Sequence, residues 1–198
     1  MAAVEKPGEG TNPRGIPFAP FVDNVSDYVS SRSEVEATLR SFQEMISKYQ
    51  FMEMNTQRRS VGLKEKIPDI KKTLEMVKFL KLRQSAATPA PLETNFELND
   101  TLYARATVDA EDTKEVYLWL GANVMLAYPI DEAEGMLAEK LRAAELSLEN
   151  CEEDLEFLRE QITTLEVATA RVYNWDVVQR RKEKAEGKGD DEDKGGGD

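Results

Sequence analysis

The sequence predicts an α+β fold, a long antiparallel α-helical coiled-coil hairpin with a β-hairpin insert of two hairpins between its helices. Apolar residues recur every three or four positions over residues 21–83 and again over 131–183, which is the a and d pattern of a coiled coil. Between these segments, residues 92–129 show the period of two that is typical of strands. Because this insert must reverse the chain, antiparallel pairing of the two helices is the simplest arrangement.

Residues 1–20 are rich in proline and glycine and carry no periodic apolar pattern, so we expect a flexible N-terminal extension. Its one apolar patch is IPFAPF at residues 16–21. This patch is either a docking peptide or part of a tethered disordered arm, and the composition favours the arm.

The first helix is expected over residues 21–83, with Phe21, Val25 and Tyr28 in its first a and d positions. Ser33, followed three residues later by Glu36, forms a second start signal of the capping-box type. The helix could therefore be interrupted near Arg32. A linker and β region over 84–130 follows.

A polar gap interrupts the apolar repeat of this helix, and it is made of Glu53, Thr56 and Ser60. We considered two explanations. Either the packing phase changes and turns Phe51, Met52 and Met54 inward, or a flexible segment presents adaptable methionine surface to other proteins. The change of phase is the explanation that we favour. Pro68 also lies inside the helical pattern.

Three strands are predicted in the insert, over residues 102–108, 116–120 and 124–128, with a possible fourth at 96–98. Gly121 is expected to take a positive φ at the first position of a two-residue type II′ turn, and Pro129 to end the last strand. Both faces of the last two strands are apolar, and a lone hairpin is marginal in water. We therefore expect the sheet to be completed by something outside the chain.

The second helix is expected over residues 131–183, with Asp131 as its N-cap. Cys151 falls at a core position and is interpreted as a small buried residue rather than a reactive thiol. The second half of helix 1 is rich in lysine whereas helix 2 is strongly acidic, which favours pairing of the two helices with each other. Residues 184–198 form an acidic, glycine-rich tail that we expect to be disordered.

The composition excludes several classes of function. A net charge of −12 argues against nucleic acid and anionic membranes as partners, and no apolar run is long enough to span a bilayer. With no histidine, no phosphate-binding glycine loop and no cysteine pair, we expect no catalytic residues, no metal and no cofactor. The single cysteine suits a reducing compartment, so the cytoplasm is expected and the nucleus remains open.

Four segments together resemble the α-class subunits of prefoldin, and the eukaryotic ones most narrowly. They are RGIPFAPFV, KEKIPDIKKTLEMVKFL, TLYARATV and EVYLWLGANVMLAYPIDEA. The resemblance covers about residues 20–185 and implies a heterohexamer with one further α-class and four β-class subunits, whose β-hairpins form a common platform. The residues expected to carry this subunit assembly are Leu102, Tyr103, Val116, Leu118, Leu120, Gly121, Val124 and Leu126.

The resemblance also implies an ATP-independent chaperone that captures unfolded proteins, such as actin and tubulin, and delivers them to the cytosolic chaperonin. Clients would bind at the distal tips of the coiled coil, although the same residues could instead merely complete the apolar repeat. The alternative function is that of a structural coiled-coil adaptor or tether without chaperone activity. The residues expected at the client-binding tips are Phe21, Val25, Tyr28, Val172, Tyr173, Trp175 and Val178.

Overall fold

A computed structural model describes residues 8–86, 90–109 and 112–185. Two long helices dominate it, α1 (Arg32–Gln84) and α2 (Ile130–Ala185). Two short strands and a 3₁₀ turn precede α1, and four strands lie between the helices, which confirms the α+β class with two inserted hairpins. The strands are β1 (Gly8–Thr11), β2 (Pro17–Phe18), β3 (Leu92–Asn99), β4 (Leu102–Val108), β5 (Glu115–Gly121) and β6 (Val124–Pro129).

The strands of the described residues form three separate two-stranded antiparallel sheets, β1–β2, β3–β4 and β5–β6. In β3–β4, Phe96 faces Ala104, and in β5–β6, Trp119 faces Met125. The strand that we left open at residues 96–98 is therefore real and extends from Leu92 to Asn99.

The chain divides into two compact units. The first unit comprises residues 1–59 and 151–198, and the second comprises residues 60–150. Each has its own buried apolar cluster. The cluster of the first unit contains Ala19, Val22, Val29, Val35, Phe42, Ile46, Tyr49, Leu158, Leu165, Ala168 and Val172. That of the second contains Leu74, Val77, Leu118, Ile130, Ala133 and Leu137.

Ion pairs between the helices show that they run antiparallel within each unit. In the first unit, Arg32 pairs with Asp176 at 3.2 Å and Glu53 pairs with Arg159 at 3.0 Å. In the second unit, Lys71 pairs with Glu145 at 2.8 Å, and Lys81 pairs with Glu134 at 2.7 Å. The two pairs of the second unit are exposed or partly exposed and contribute little stability each, so they mainly select the partner helix, as the charge pattern predicted.

Helix α1 begins at Arg32, and not at Phe21 as the apolar repeat predicted. The main-chain N–H of Ser30 donates to the Glu34 carboxylate at 2.9 Å, and the N–H of Glu34 donates to the Ser31 carbonyl at 3.1 Å. Glu34 therefore performs the capping role that the Ser33–Glu36 pattern suggested, two residues before the predicted Glu36. Residues 21–31 are non-α-helical, with a 3₁₀ turn at Val25–Asp27.

The N-terminal arm, defined here as residues 10–31, departs from the flexible extension that we expected up to residue 20. The Ala19 N–H donates to the Gln161 side chain at 2.8 Å, and the Phe18 ring meets the Phe157 ring edge-on, with centroids 5.0 Å apart. Tertiary contacts with α2 thus order a segment that has no periodicity of its own. The remainder of the expected extension, residues 1–7, lies outside the described residues.

The turn between β5 and β6 is of type I′ rather than the predicted type II′. Its two central residues, Ala122 and Asn123, both have positive φ, at 49° and 62°. Gly121 also has a positive φ, 88°, but it is the last residue of β5 and lies at a register shift of the ladder. Gly121 therefore provides the positive φ at the β-bulge, and Ala122 occupies the first turn position.

The polar gap of α1 does not involve a change of packing phase, so our favoured explanation was wrong. Phe51 and Met54 remain 64% and 48% exposed, and of this group only Met52 packs partly against the apolar cluster of the first unit. Glu53 keeps its position toward α2 because Arg159 supplies a partner for its carboxylate. Ser60 is 2% exposed despite its hydroxyl.

Helix α2 begins one residue earlier than predicted, at Ile130, whose N–H donates to the Lys114 carbonyl at 3.4 Å. Asp131 therefore lies in the first turn, where its charge favours the helix N-terminus, and is not the N-cap. Cys151 is 4% exposed, which confirms its interpretation as a core residue. The helix extends to Ala185, and the acidic tail from residue 186 lies outside the described residues.

Candidate functional site

The β5–β6 hairpin packs one of its faces onto the helices of the second unit. Leu118 is 7% exposed and belongs to the same buried cluster as Leu74 and Leu137. Val116 and Tyr128 are opposite each other in the ladder and pack partly against this cluster. Two of the residues predicted to contact other subunits, Val116 and Leu118, therefore belong to the chain's own core.

The opposite face of β5–β6 is apolar and uncovered. Tyr117 is 69% exposed, Trp119 is 60% exposed and Met125, its cross-strand neighbour, is 54% exposed. We did not predict these three as site residues, although the alternation in EVYLWL places them on one face. Of the predicted assembly residues, Leu120, Val124 and Leu126 are exposed around the turn, and Gly121 shapes the bulge.

The β3–β4 hairpin has one apolar face and one polar face. Phe96 and Leu102 are 61% and 58% exposed, and Phe96 shares its face with Ala104. On the other face, Arg105 lies 4.0 Å from Glu93. Among the described residues, no side chain of β3 or β4 belongs to either buried cluster, so this apolar face is uncovered.

Two further large side chains of this hairpin, those of Tyr103 and Leu98, are exposed. Tyr103, predicted for assembly, is 57% exposed but lies on the polar face, opposite Glu97. Leu98, which we did not predict as a site residue, is 59% exposed at the register shift near the turn. The apolar face therefore extends to the end of the hairpin.

The predicted client-binding residues separate into two groups in the first unit. Val172 is fully buried, and Val25, Tyr28 and Trp175 pack partly against the same cluster. The other residues of the set, which are Phe21, Tyr173 and Val178, are 62%, 59% and 46% exposed. The first group is covered because the arm packs against the helices instead of continuing α1 toward solvent.

The arm is held by side chains of both helices that contact its main chain. The Tyr49 hydroxyl donates to the Pro17 carbonyl at 3.1 Å, and Arg171 donates to the Val22 carbonyl at 2.5 Å. Gln161, 5% exposed, accepts from the Ala19 N–H. The contacts of Gln161 and Arg171 satisfy main-chain groups of two buried residues, Ala19 and Val22.

Charged groups anchor the start of the arm to α2. Arg14 donates to Asp154 at 2.6 Å and to Glu153 at 2.8 Å, and Asn12 donates to the same Asp154 oxygen at 2.7 Å. The hydrogen bond to Asp154 is the main reason that the pKa of Arg14 is raised. At the end of the arm, hydrogen bonds to Glu183 and Asp176 raise the pKa of Arg32. The arm thus has an ionic contact at each end.

The part of the chain that the structure describes has neither a candidate metal site nor a candidate membrane span. It contains no group of three or more histidine, cysteine, aspartate or glutamate side chains able to hold a metal ion. None of its helices combines the length and the apolar character required to cross a membrane.

Comparison with known proteins identifies the family. The sequence profile described as prefoldin subunit matches residues 49–175, which include all four strands between the helices and most of both helices. The chain belongs to the prefoldin family. Prefoldins are chaperones built from several subunits, and this chain is one such subunit.

Individual prefoldin relatives agree with this assignment. The chain is 74% identical to prefoldin subunit 3 of Elsinoe fawcettii over 179 residues, which cover 90% of this chain and 88% of the relative. It is 53% identical to the probable prefoldin subunit 3 of Schizosaccharomyces pombe, over 88% and 98% of the two chains. For prefoldin subunit 3 of Homo sapiens the identity is 44%, over 85% of each chain.

Proposed function

We propose that this chain is an α-class subunit of a heterohexameric prefoldin with one further α-class and four β-class subunits. The uncovered apolar face of β3–β4 carries the proposal, because a two-stranded sheet with Phe96 and Leu102 in water is marginal by itself. Strands of neighbouring subunits would cover it. The exposed face of β5–β6, with Tyr117, Trp119 and Met125, offers a second contact of the same kind.

The complex would act as an ATP-independent holdase. It would capture unfolded proteins such as actin and tubulin in the cytoplasm and deliver them to the cytosolic chaperonin, without catalysing a reaction. The absence of histidine from the whole sequence supports the non-enzymatic role. Phe21, Tyr173 and Val178 are the predicted tip residues that remain available to clients, because they are exposed.

Co-expression with the other prefoldin subunits, followed by native mass spectrometry, tests the assembly. Phe96→Glu places a charge on the apolar face of β3 and should abolish incorporation of this chain into the hexamer. Asn95→Glu places the same charge one residue away on the polar face, opposite Arg105, and should assemble normally. Assembly of both variants, or a stable homodimer of the wild-type chain alone, would argue for a tether instead.

Client capture is tested with the assembled complex. Tyr173→Ser removes an exposed aromatic side chain that belongs to neither buried cluster, so the hexamer should form, and suppression of aggregation of diluted, denatured actin should weaken. Glu166→Gln, a substitution on the same helix without loss of apolar surface, serves as the control. Equal protection by wild type and Tyr173→Ser would remove Tyr173 from the client site while leaving the hexamer assignment intact. All assays are run without ATP.

A further inference from the structure

The N-terminal arm lies in the first unit as a peptide lies in a binding groove. Its residues 16–22 are non-helical, and the helices contact their main chain through the side chains of Tyr49, Gln161 and Arg171. Every polypeptide carries the carbonyl and N–H groups that these side chains bind. This part of the recognition therefore does not depend on the sequence of the arm.

The apolar part of the groove accepts small and β-branched side chains. Ala19 and Val22 of the arm are 6% and 1% exposed, and they belong to one cluster with Leu158, Leu165 and Val172 of α2. If the arm left, this cluster would lose the two buried side chains that the arm contributes to it, Ala19 and Val22. An apolar surface of this kind between two helices is a suitable site for another extended apolar segment.

The ionic anchor distinguishes the arm from other peptides. Arg14 bonds Asp154 and Glu153 through exposed or partly exposed groups, at the entrance to the groove rather than inside it. The arm is also covalently joined to α1, and this link acts as a tether. A short flexible tether gives an effective concentration on the order of millimolar at the binding site, and the ionic anchor adds to that effect. The state in which the arm occupies the groove is therefore favoured even if residues 16–22 have no greater affinity for it than another apolar peptide has.

We propose that this groove is a second client-binding site and that the arm is its intramolecular competitor. An extended apolar segment of an unfolded protein would replace residues 16–22, with its main chain bound by Tyr49, Gln161 and Arg171. This inference rests on the proposed holdase function and adds to it a specific site and a means of limiting access. The site differs from the exposed tip residues because it opens only when the arm leaves.

Full-length variants assembled in the hexamer test the proposal. Val22→Asp introduces a charge where the wild-type side chain is buried, and Arg14→Glu opposes Asp154, so the double variant should release the arm. Ser26→Asp adds the same charge at an exposed position of the arm and is the matched control. The probe is a fluorescent peptide with the sequence of residues 10–31, and its binding is followed by anisotropy.

We expect the peptide to bind the Arg14→Glu/Val22→Asp complex at least tenfold more tightly than the wild-type or Ser26→Asp complex. Adding Gln161→Ala to the double variant removes a main-chain contact without removing apolar surface, and should weaken peptide binding about fivefold to tenfold. No difference in peptide binding between wild type and the double variant would overturn the inference. So would equal binding with and without Gln161→Ala.

Client protection is then measured with denatured actin in the same complexes. The double variant should suppress aggregation at a lower ratio of complex to actin than wild type, and unlabelled arm peptide should reverse this gain. If the arm peptide binds but protection is unchanged, the groove serves the arm alone and the inference fails, whereas the holdase function stands. If the wild-type complex itself gives no protection, it is the proposed function that fails.

Discussion

The guanidinium of Arg32, the first residue of α1, donates to the carboxylate of Asp176 on α2 at 3.2 Å, and that carboxylate side chain is only 6% exposed. Arg180 approaches the other oxygen of Asp176 at 2.8 Å. Two arginines thus neutralise one buried acid at the point where the arm joins α1. This arrangement fixes where the helix pair begins in the first unit.

Asp176→Asn should loosen this end of the helix pair, because it leaves both arginines beside a neutral group. We expect hydrogen exchange of the first turns of α1 to accelerate on the order of tenfold. Glu36→Gln, which breaks the exposed pair of Glu36 with Arg40, is the control and should leave exchange unchanged. Unaltered exchange in Asp176→Asn would show that apolar packing alone holds this end.

Leu118 and Trp119 are neighbours on β5, but their substitution should have different consequences. Leu118→Ala removes buried apolar volume from the cluster of the second unit and should cost about 2–4 kcal/mol of stability, seen as a lower midpoint of chemical unfolding. Trp119→Ala should leave the stability of the chain nearly unchanged and weaken assembly, since that side chain is 60% exposed. Native mass spectrometry distinguishes the two effects. Loss of assembly without loss of stability in Leu118→Ala would contradict the burial described above.

Ala122→Gly should stabilise the β5–β6 hairpin by about 1 kcal/mol. Ala122 has φ of 49°, a region in which its Cβ is unfavourable and glycine is not. Asn123→Gly should have a smaller effect because asparagine tolerates this region better than alanine does. Hydrogen exchange of the β6 amides measures both. Slower exchange is expected for Ala122→Gly, and faster exchange would mean that the turn is not of type I′.

Burial raises the pKa of the Tyr49 phenol above its ordinary value of 10.0. The folded state therefore retains the proton more strongly than the unfolded state. The stabilising contribution is complete below the unfolded pKa and is lost as the pH rises through the folded pKa. Because the phenolate cannot donate to the Pro17 carbonyl, the arm should loosen in the same range.

Difference absorbance between wild type and Tyr49→Phe isolates this titration among the six tyrosines of the chain. The signal should appear above pH 10, because burial raises the pKa of Tyr49. A difference signal centred at or below pH 10 would contradict the burial of Tyr49.

Much of the fold follows from short-range pattern. The period of two around Val116–Leu120 predicted β5, and the heptad positions around Leu158 and Leu165 predicted the core of α2, because burial on one face imposes these periods directly. The same pattern could not assign the two faces of β5. Which face meets the chain's own helices depends on tertiary packing, so the pattern did not predict that Leu118 packs in the cluster of the second unit.

The N-terminal arm shows more clearly which features a local sequence pattern cannot predict. Phe21, Val25 and Tyr28 continue the spacing of α1, yet they precede its start at Arg32. The side chains that hold the arm, Gln161 and Arg171, are more than 140 residues away from their partners in the sequence, and local propensity carries no information on such contacts. The polar position of Glu53 was misread for the same reason, since its partner Arg159 is on the other helix.

The two-sided character of β3–β4 has a consequence for how the cell must supply this polypeptide. A copy made in excess of the other subunits would expose Phe96 and Leu102 to solvent, and an exposed apolar patch favours aggregation. Its steady-state amount is therefore expected to follow the synthesis of the other members of the complex, and depletion of one of them should shorten its half-life.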